Sequence, residues 1–328
     1  MLYRKGNLRT AVWRRRTVKQ DLLAMIEERM PTFSKGQKQI AGYILAHYDK
    51  AAYLTAAKLG KLVGVSESTV VRFANELQFE GYPELQDALQ KMIRARLTSV
   101  QRMEVTNHLI GDGDVLEKVL LSDAEMIRYT MDAIDRRAFQ DAVEKISAAR
   151  RIYIIGVRSS STLAGFLNFN LRMMFDDVKF VQTTSRSEMF EEIMRIGKED
   201  VMIAISFPRY SKRIVNAVEF ARKAGADVVA LTDSDTSPIA EFANQLLIAY
   251  SGIVSYVDSL VAPLSVINAL VAALSLDRQE ELTVRLKELE NIWDDYEVYE
   301  KSDPADRRYI EQVTSRKARS KKQKEAHG

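Results

Sequence analysis

The sequence predicts a two-part α/β protein. An N-terminal all-helical helix-turn-helix domain is joined by a helical connector to a doubly wound parallel α/β/α sandwich. Three observations predict it. Apolar residues recur at helical spacing from 21 to about 97. From Arg151 onward, short β-branched runs alternate with helical patterns, the rhythm of a parallel sheet covered on both faces. The chain has 328 residues, 46% of them hydrophobic, enough for two buried cores. The expected division is a basic extension over 1–20, the helix-turn-helix domain over 21–97, the connector over 98–150, the α/β domain over 151–300 and a basic tail over 301–328.

The helical part reads as follows. Ser34 is a candidate N-cap, with Ile40, Ile44 and Leu45 at helix spacing behind it. Thr55 caps the next helix, which carries Leu59, Leu62 and Val63. Gly64 and Val65 make a turn, and Ser66 caps a third helix whose apolar face is Val70, Phe73 and Leu77. Ala56 or Ala57 is expected to permit close packing of the two helices at this corner. Gly81-Tyr82-Pro83 breaks the chain before a further helix from Glu84. In the connector, Gly111-Asp112-Gly113 punctuates the helical pattern, and Phe139, Val143 and Ile146 mark the helix that leads into the second part.

In the α/β part, apolar runs at 152–155, 178–181, 201–205, 228–231 and 246–249 predict five strands. Helices are expected at about 159–175, 187–195, 211–224 and 236–243, and a long helix from Asp277 to about Tyr296 is expected to close the domain. Right-handed crossovers then give the doubly wound sandwich. The stretch 260–276 carries no charge, but contains Pro263, Ser265, Asn268 and Ser275. It reads as a helix buried in a core or subunit interface rather than a membrane span.

Formal net charge is +3, yet the two tails together carry +12, so the body between them is acidic. Arg4, Lys5, Arg9, Arg14, Arg15, Arg16 and Lys19 crowd the first tail, and Arg316, Lys317, Arg319, Lys321, Lys322 and Lys324 the last. Such tails attract phosphate backbones without sequence preference, or serve as solvated ends. The absence of cysteine excludes disulfides, thiolate metal sites and cysteine nucleophiles, and fits a reducing cytoplasm. No secretory signal pattern opens the chain.

Two sets of residues carry the functional expectation. On the third helix, Ser66, Glu67, Ser68, Val71, Arg72 and Asn75 lie at its start or on the face opposite the apolar stripe. The N-terminal part of such a helix reaches base edges in the major groove. There Arg72 reads a guanine or grips a phosphate, and Val71 touches a thymine methyl. In the second part, Gly156-Val157-Arg158-Ser159-Ser160 and Ser206-Phe207-Pro208-Arg209-Tyr210-Ser211 each follow a strand and open a helix. Free N–H groups and hydroxyls at a helix N-terminus stabilise an anion. Arg158, Ser159, Ser160, Ser206, Arg209 and Ser211 are the candidate ligand residues, with Glu188 after the second strand.

The run Gly64-Val65-Ser66, Thr69-Val70-Val71-Arg72-Phe73 and Leu77-Gln78-Phe79-Glu80-Gly81-Tyr82-Pro83-Glu84-Leu85 resembles the N-terminal domain of RpiR/MurR-type bacterial regulators. Two positions depart from that pattern: Gln78 stands for the usual Gly, and Val71 for a common Ser. The later loops resemble those of the sugar isomerase (SIS) domain, the usual C-terminal partner in that family. Gly156, Ser160 and Ala164 match the first loop, with Arg158 in place of its second Gly. Ser206 and Ser211 match the second, where Pro208-Arg209 replaces Ser-Gly. Thr232-Asp233 with Ser237-Pro238-Ile239-Ala240 is similar to the fourth-strand segment.

The resemblance spans roughly 21–275. It implies a cytoplasmic transcriptional regulator that binds a palindromic double-stranded DNA operator as a homodimer or tetramer, and answers to a phosphorylated sugar or related anion. At the two departures from the loop pattern, the guanidinium groups of Arg158 and Arg209 offer bidentate binding of phosphate or carboxylate; the alternatives are that Arg209 fills the pocket or that both form salt bridges on its rim. The competing class is an aldose–ketose isomerase. That chemistry needs a base, and the three histidines, His47, His108 and His327, all lie outside the α/β part. Glu188 is the remaining candidate base. A third reading leaves the α/β domain as a dimerisation scaffold. The sequence predicts no cofactor, no metal and no membrane partner.

Overall fold

The computed structural model describes residues 22–94, 97–111, 113–182 and 185–299. Both basic tails, with the phosphate-backbone role expected of them, lie outside the described residues. Among the described residues no single helix is long and apolar enough to cross a membrane.

The N-terminal helices are α1 (Leu22–Arg29), α2 (Lys35–Ala46), the single turn α3 (Tyr48–Ala51), α4 (Ala56–Val63), α5 (Glu67–Glu76) and α6 (Tyr82–Arg94). Their starts are set by side chains. Ser34 and Gln37 form a reciprocal capping box on α2, the Ser34 N–H donating to Gln37 Oε1 at 2.8 Å. Thr55 Oγ1 accepts from the Lys58 N–H, and Ser66 Oγ from the Thr69 N–H, both at 3.3 Å. One apolar core joins these helices. Ile26, Ile40, Ile44, Leu59, Val70, Phe73, Leu77, Leu85 and Leu89 are fully buried in it, and the Phe33 ring meets the edge of Phe73 at 5.2 Å.

The corner between α4 and α5 is tighter than the alanines explain. Ala57 is exposed and Ala56 only half-buried. The close approach is made at Gly60, where a Cβ would sit 2.8 Å from the Val65 carbonyl oxygen. Gly64 ends α4 in the left-handed conformation at φ +76°. Leu62, expected on the apolar face, is 57% exposed. Helix α6 starts two residues before Glu84. Pro83 sits in its first turn, where it has no N–H bond to lose, and Glu84 Oε2 accepts the Glu80 N–H at 2.6 Å.

The connector is three helices: α7 (Ser99–Ile110), α8 (Val115–Ala133) and α9 (Arg136–Ala148). It is not a mere spacer. Leu97 and Val105 belong to the N-terminal core. Ala142, Val143 and Ile146 are buried on α9, and Phe139 is half-buried.

The sheet is five parallel strands in the order β2-β1-β3-β4-β5. They are β1 (Arg151–Gly156), β2 (Val178–Val181), β3 (Asp200–Ile205), β4 (Asp227–Thr232) and β5 (Gln245–Ile248). Crossover helices α10 (Ser159–Met174), α11 (Arg186–Ile193) and α12 (Lys212–Lys223) link the first four strands. On one face Tyr153, Ile155, Met202, Ala204, Val228 and Ala230 pack with Ile193, Ile214, Ala217 and Val218 of α11 and α12. The other face is covered by α9 and α10, and the uncharged segment, which forms α13 (Val261–Asp277), packs against these two helices and α8. Ala262, Pro263, Val266, Ile267, Leu270 and Leu274 of α13 are buried, so it is a core helix.

Two expected helices differ. The stretch 236–243 contains only a short 3₁₀ turn, Ala240–Phe242. Pro238 has no N–H to donate and biases Ser237 away from helical backbone, so no helix forms across the pair. The long last helix, α14 (Gln279–Asp295), belongs to a separate unit beginning at Arg278. The compact body therefore ends at Asp277, not near 300, and no residue of α14 is buried. Its sequence is too polar to give it a core face.

Tyr82 offers a test of the N-terminal bundle. Its buried hydroxyl donates to the Leu54 carbonyl at 2.8 Å, with that of Ala51 at 3.4 Å. Tyr82→Phe is expected to cost about 1 kcal/mol at neutral pH. Burial also pushes the phenol up to about 12, from about 10 in water. The folded state thus favours the neutral phenol. That contribution is intact below pH 10 and is lost as pH rises toward 12. Urea melts at pH 8 and pH 11 should show the wild type losing more stability than Tyr82→Phe; equal losses contradict the assignment.

Candidate functional site

The candidate ligand loops follow β1 and β3, neighbours in the sheet whose crossovers run in opposite directions. At such a switch point no loop bridges the carboxyl ends of the two strands, and a crevice opens. It is a cleft of about 320 Å³. Arg158, Ser159, Ser160, Ser206, Arg209 and Ser211 all line it, so six of the seven ligand candidates are brought together. Glu188 is not among the lining residues. It is exposed in the first turn of α11, after β2 at the sheet edge.

The first loop is shaped by close approach. A Cβ on Gly156 would lie 2.5 Å from the Ser160 carbonyl oxygen, so glycine lets α10 start directly above β1. Arg158 is the N-cap residue of α10 but makes no side-chain cap, and it holds φ +55°, ψ −130°. That is a glycine conformation, and it explains the Gly of the family pattern here. Gln78, which also stands for a family Gly, is likewise left-handed at φ +70°. Each non-glycine residue at such a φ costs about 1–2 kcal/mol.

The second loop is tied from behind. Tyr210 donates its hydroxyl hydrogen to Asp233 Oδ1 at 2.8 Å, and Asp233 is buried at the end of β4. The Ser206 N–H reaches the Leu231 carbonyl at 3.1 Å, which continues the sheet into the loop. Ser206 and Ser160 are buried. Ser211 is half-buried and caps α12, accepting the Arg213 N–H at 3.3 Å.

Sequence reading missed a third wall. Ser99 and Arg102 of α7, and Tyr256, Val257 and Asp258 of the loop after β5, complete the cleft. Arg102 and Asp258 form a buried ion pair at 2.7 Å, their side chains only 4% and 5% exposed. The partners are 156 residues apart, and no local pattern couples them. The legible hint was the Thr98–Gln101 capping box that starts α7.

The N-termini of α7, α10 and α12 thus face one crevice, and its charged lining residues are three guanidinium groups against one carboxylate, Asp258. Helix N-termini and guanidinium groups both stabilise anions, the latter bidentately when the anion is phosphate or carboxylate. No histidine lines the cleft among the described residues.

At the other end of the chain, Glu67, Ser68, Arg72 and Asn75 are exposed on α5, as expected. Ser66 is exposed but committed to the cap, its Oγ also 2.9 Å from Ser68 Oγ and Thr69 Oγ1. Val71 departs from the expectation of an open outward residue. It is half-buried against the N-terminal core. Arg72 Nε donates to the Ser68 carbonyl at 3.3 Å, which lays the side chain along its own helix. Arg29 donates to the Glu76 carbonyl at 2.7 Å and closes the C-terminal end of α5. Exposed Lys58 and Lys61 on α4 add positive charge to the same two-helix unit.

Comparison with known proteins agrees with both halves. The helix-turn-helix domain of the rpiR family matches residues 20–96, and the SIS domain matches residues 145–273. The NanR protein of Vibrio vulnificus, solved in complex with ManNAc-6P, is 23% identical. That match covers 84% of this chain and 99% of that one, at a TM-score of 0.52, and is a likeness of fold. The sugar isomerase domain of an RpiR transcription factor from Sphaerobacter thermophilus is 27% identical, covering 53% of this chain and 97% of that one at a TM-score of 0.51. With an rpiR-family helix-turn-helix domain ahead of a SIS domain, the chain belongs to the RpiR-type regulators.

Proposed function

We propose that this protein is a DNA-binding transcriptional regulator whose operator affinity is set by a phosphorylated sugar or related anionic metabolite held in the SIS-domain cleft. The observation that carries the reading is the convergence of two amide-rich loops and two arginines, Arg158 and Arg209, on the switch point between β1 and β3. The phosphosugar complex of NanR supports it by analogy.

In this reading α5 enters the major groove with Glu67, Ser68, Arg72 and Asn75 toward the bases, while Ser66 fixes the helix start and Val71 sets its depth. Two copies bind a palindromic operator with half-sites about 34 Å apart, or a multiple of that. The effector acts only through unequal affinity for two poses of the DNA-binding heads. Moving occupancy from 1:99 to 99:1 takes about 5.5 kcal/mol of such difference. Isomerase chemistry is disfavoured because the one carboxylate in the cleft, Asp258, is held by Arg102 and Glu188 stands apart from the lining.

The direct test is to select genomic fragments bound by the full chain and titrate them by fluorescence anisotropy. Arg72→Ala should weaken binding by about 1–3 kcal/mol. Arg209→Ala should leave effector-free DNA binding intact and abolish the response to a panel of hexose 6-phosphates. Failure of the wild type to bind any fragment at low salt, or turnover of a sugar phosphate seen by NMR, contradicts the proposal.

Arg158 and Gln78 separate stability from function. Either residue changed to Gly removes left-handed strain and should raise the melting temperature. Only Arg158→Gly should also weaken binding of a sugar phosphate in calorimetry, at least tenfold. An Arg158→Gly protein that is more stable and binds the anion unchanged would remove Arg158 from the site.

A further inference from the structure

We infer that the Arg102–Asp258 pair is the latch through which an anion in the cleft reaches the DNA-binding head. This rests on the ligand reading above and names how that site would be coupled.

The geometry begins with α7. Its Ser99 and Arg102 line the cleft, while Val105, one turn further, is buried in the core of the N-terminal helices. Leu97, just before the helix, is in the same core. One short helix therefore has its first turn at the ligand and its second in the DNA-binding head. Residues three apart lie on neighbouring positions of one helix face, so the two cannot move independently.

The loop carrying Asp258 is equally placed. Ile253 pairs with Asp258 in an antiparallel bridge and packs against the N-terminal core. The Ser259 N–H donates to the Gly252 carbonyl at 2.7 Å, and Ser259 Oγ donates to Asp123 Oδ1 of α8 at 2.6 Å. Tyr256 and Val257 face the cleft beside Asp258. The loop thus touches ligand cleft, connector and head within eight residues.

A buried ion pair holds because each partner neutralises the other; adding a third charge upsets it. An anion entering between Arg158 and Arg209 brings negative charge to a wall that already holds the Asp258 carboxylate. It attracts Arg102 and repels Asp258. The carboxylate and the incoming anion then compete for one guanidinium, and the burial of the pair makes that competition strong. Weakening the pair frees α7 from the loop and shifts the head. The latched and unlatched states are the two poses that the effector tells apart.

The test uses the full chain, a selected genomic fragment, and inorganic phosphate as the minimal probe of the cleft. Asp258→Asn keeps size and removes the charge. It should shift the Kd for DNA at least tenfold with no ligand present, in the direction that phosphate shifts the wild type. Phosphate should then bind this variant more tightly than the wild type, yet change its DNA affinity less than twofold. The charge-swapped double variant Arg102→Glu/Asp258→Arg should bring the ligand-free Kd for DNA back to within threefold of the wild type, which separates a lost latch from a damaged fold. Asp258→Asn protein with the wild-type Kd for DNA and the wild-type phosphate response overturns the latch. Wild-type protein that binds no phosphate at all defeats the ligand reading instead; a tenfold shift in ligand-free Asp258→Asn then still upholds the coupling, and no shift overturns it.

Discussion

Between β1 and β3 the crossovers leave the sheet in opposite directions, and the carboxyl ends of these two strands are left without a bridging loop. The rest of the C-terminal half follows from this constraint. It opens a crevice where the first turns of α10 and α12 present their N–H groups side by side. It requires Gly156, because only a residue without Cβ lets the Ser160 carbonyl approach. It sets Arg158 and Arg209 on adjacent loops of one cleft.

In the proposed reading, electrostatics decides what the crevice takes. Three guanidinium groups, one carboxylate and three helix N-termini give a lining with excess positive charge, close to what a single phosphate dianion neutralises. Because Arg102 is already engaged by Asp258, the open cations are those on the two loops. The departures from the family loops, Arg158 for Gly and Arg209 for a small residue, replace conformational ease and a hydroxyl with charge. At Arg158 the cost is a left-handed backbone. In the proposed reading that strain is retained because the Arg158 guanidinium serves the cleft.

The periodic elements were legible because their signals are local. Ser34, Thr55 and Ser66 cap helices where their spacing placed them, and the five apolar runs became five parallel strands within a residue or so. The two candidate ligand loops were legible as hydroxyl-rich strand-to-helix turns, a pattern that also serves plain helix capping, as Ser211 shows. What sequence could not show was contact between distant segments. Nothing local pairs Arg102 with Asp258, brings Ser99 to a loop more than fifty residues later, or assigns Val105 to the N-terminal core. Gly60 was overlooked for Ala56 and Ala57 because small size was visible but the approach of the Val65 carbonyl was not. Glu188 was placed near the ligand by its position after β2, yet the strand order put β2 at the sheet edge. Helix α14 followed a helical pattern faithfully, but periodicity alone did not say whether its face had a core to join.

Hydrogen–deuterium exchange on the full chain, with and without a saturating hexose 6-phosphate, addresses the central claim most directly. The account predicts that backbone amides of 156–161 and 206–213 gain protection together, since one anion is held by both loops. Protection confined to a single loop, or none in either while the sugar phosphate demonstrably binds elsewhere on the protein, would contradict it.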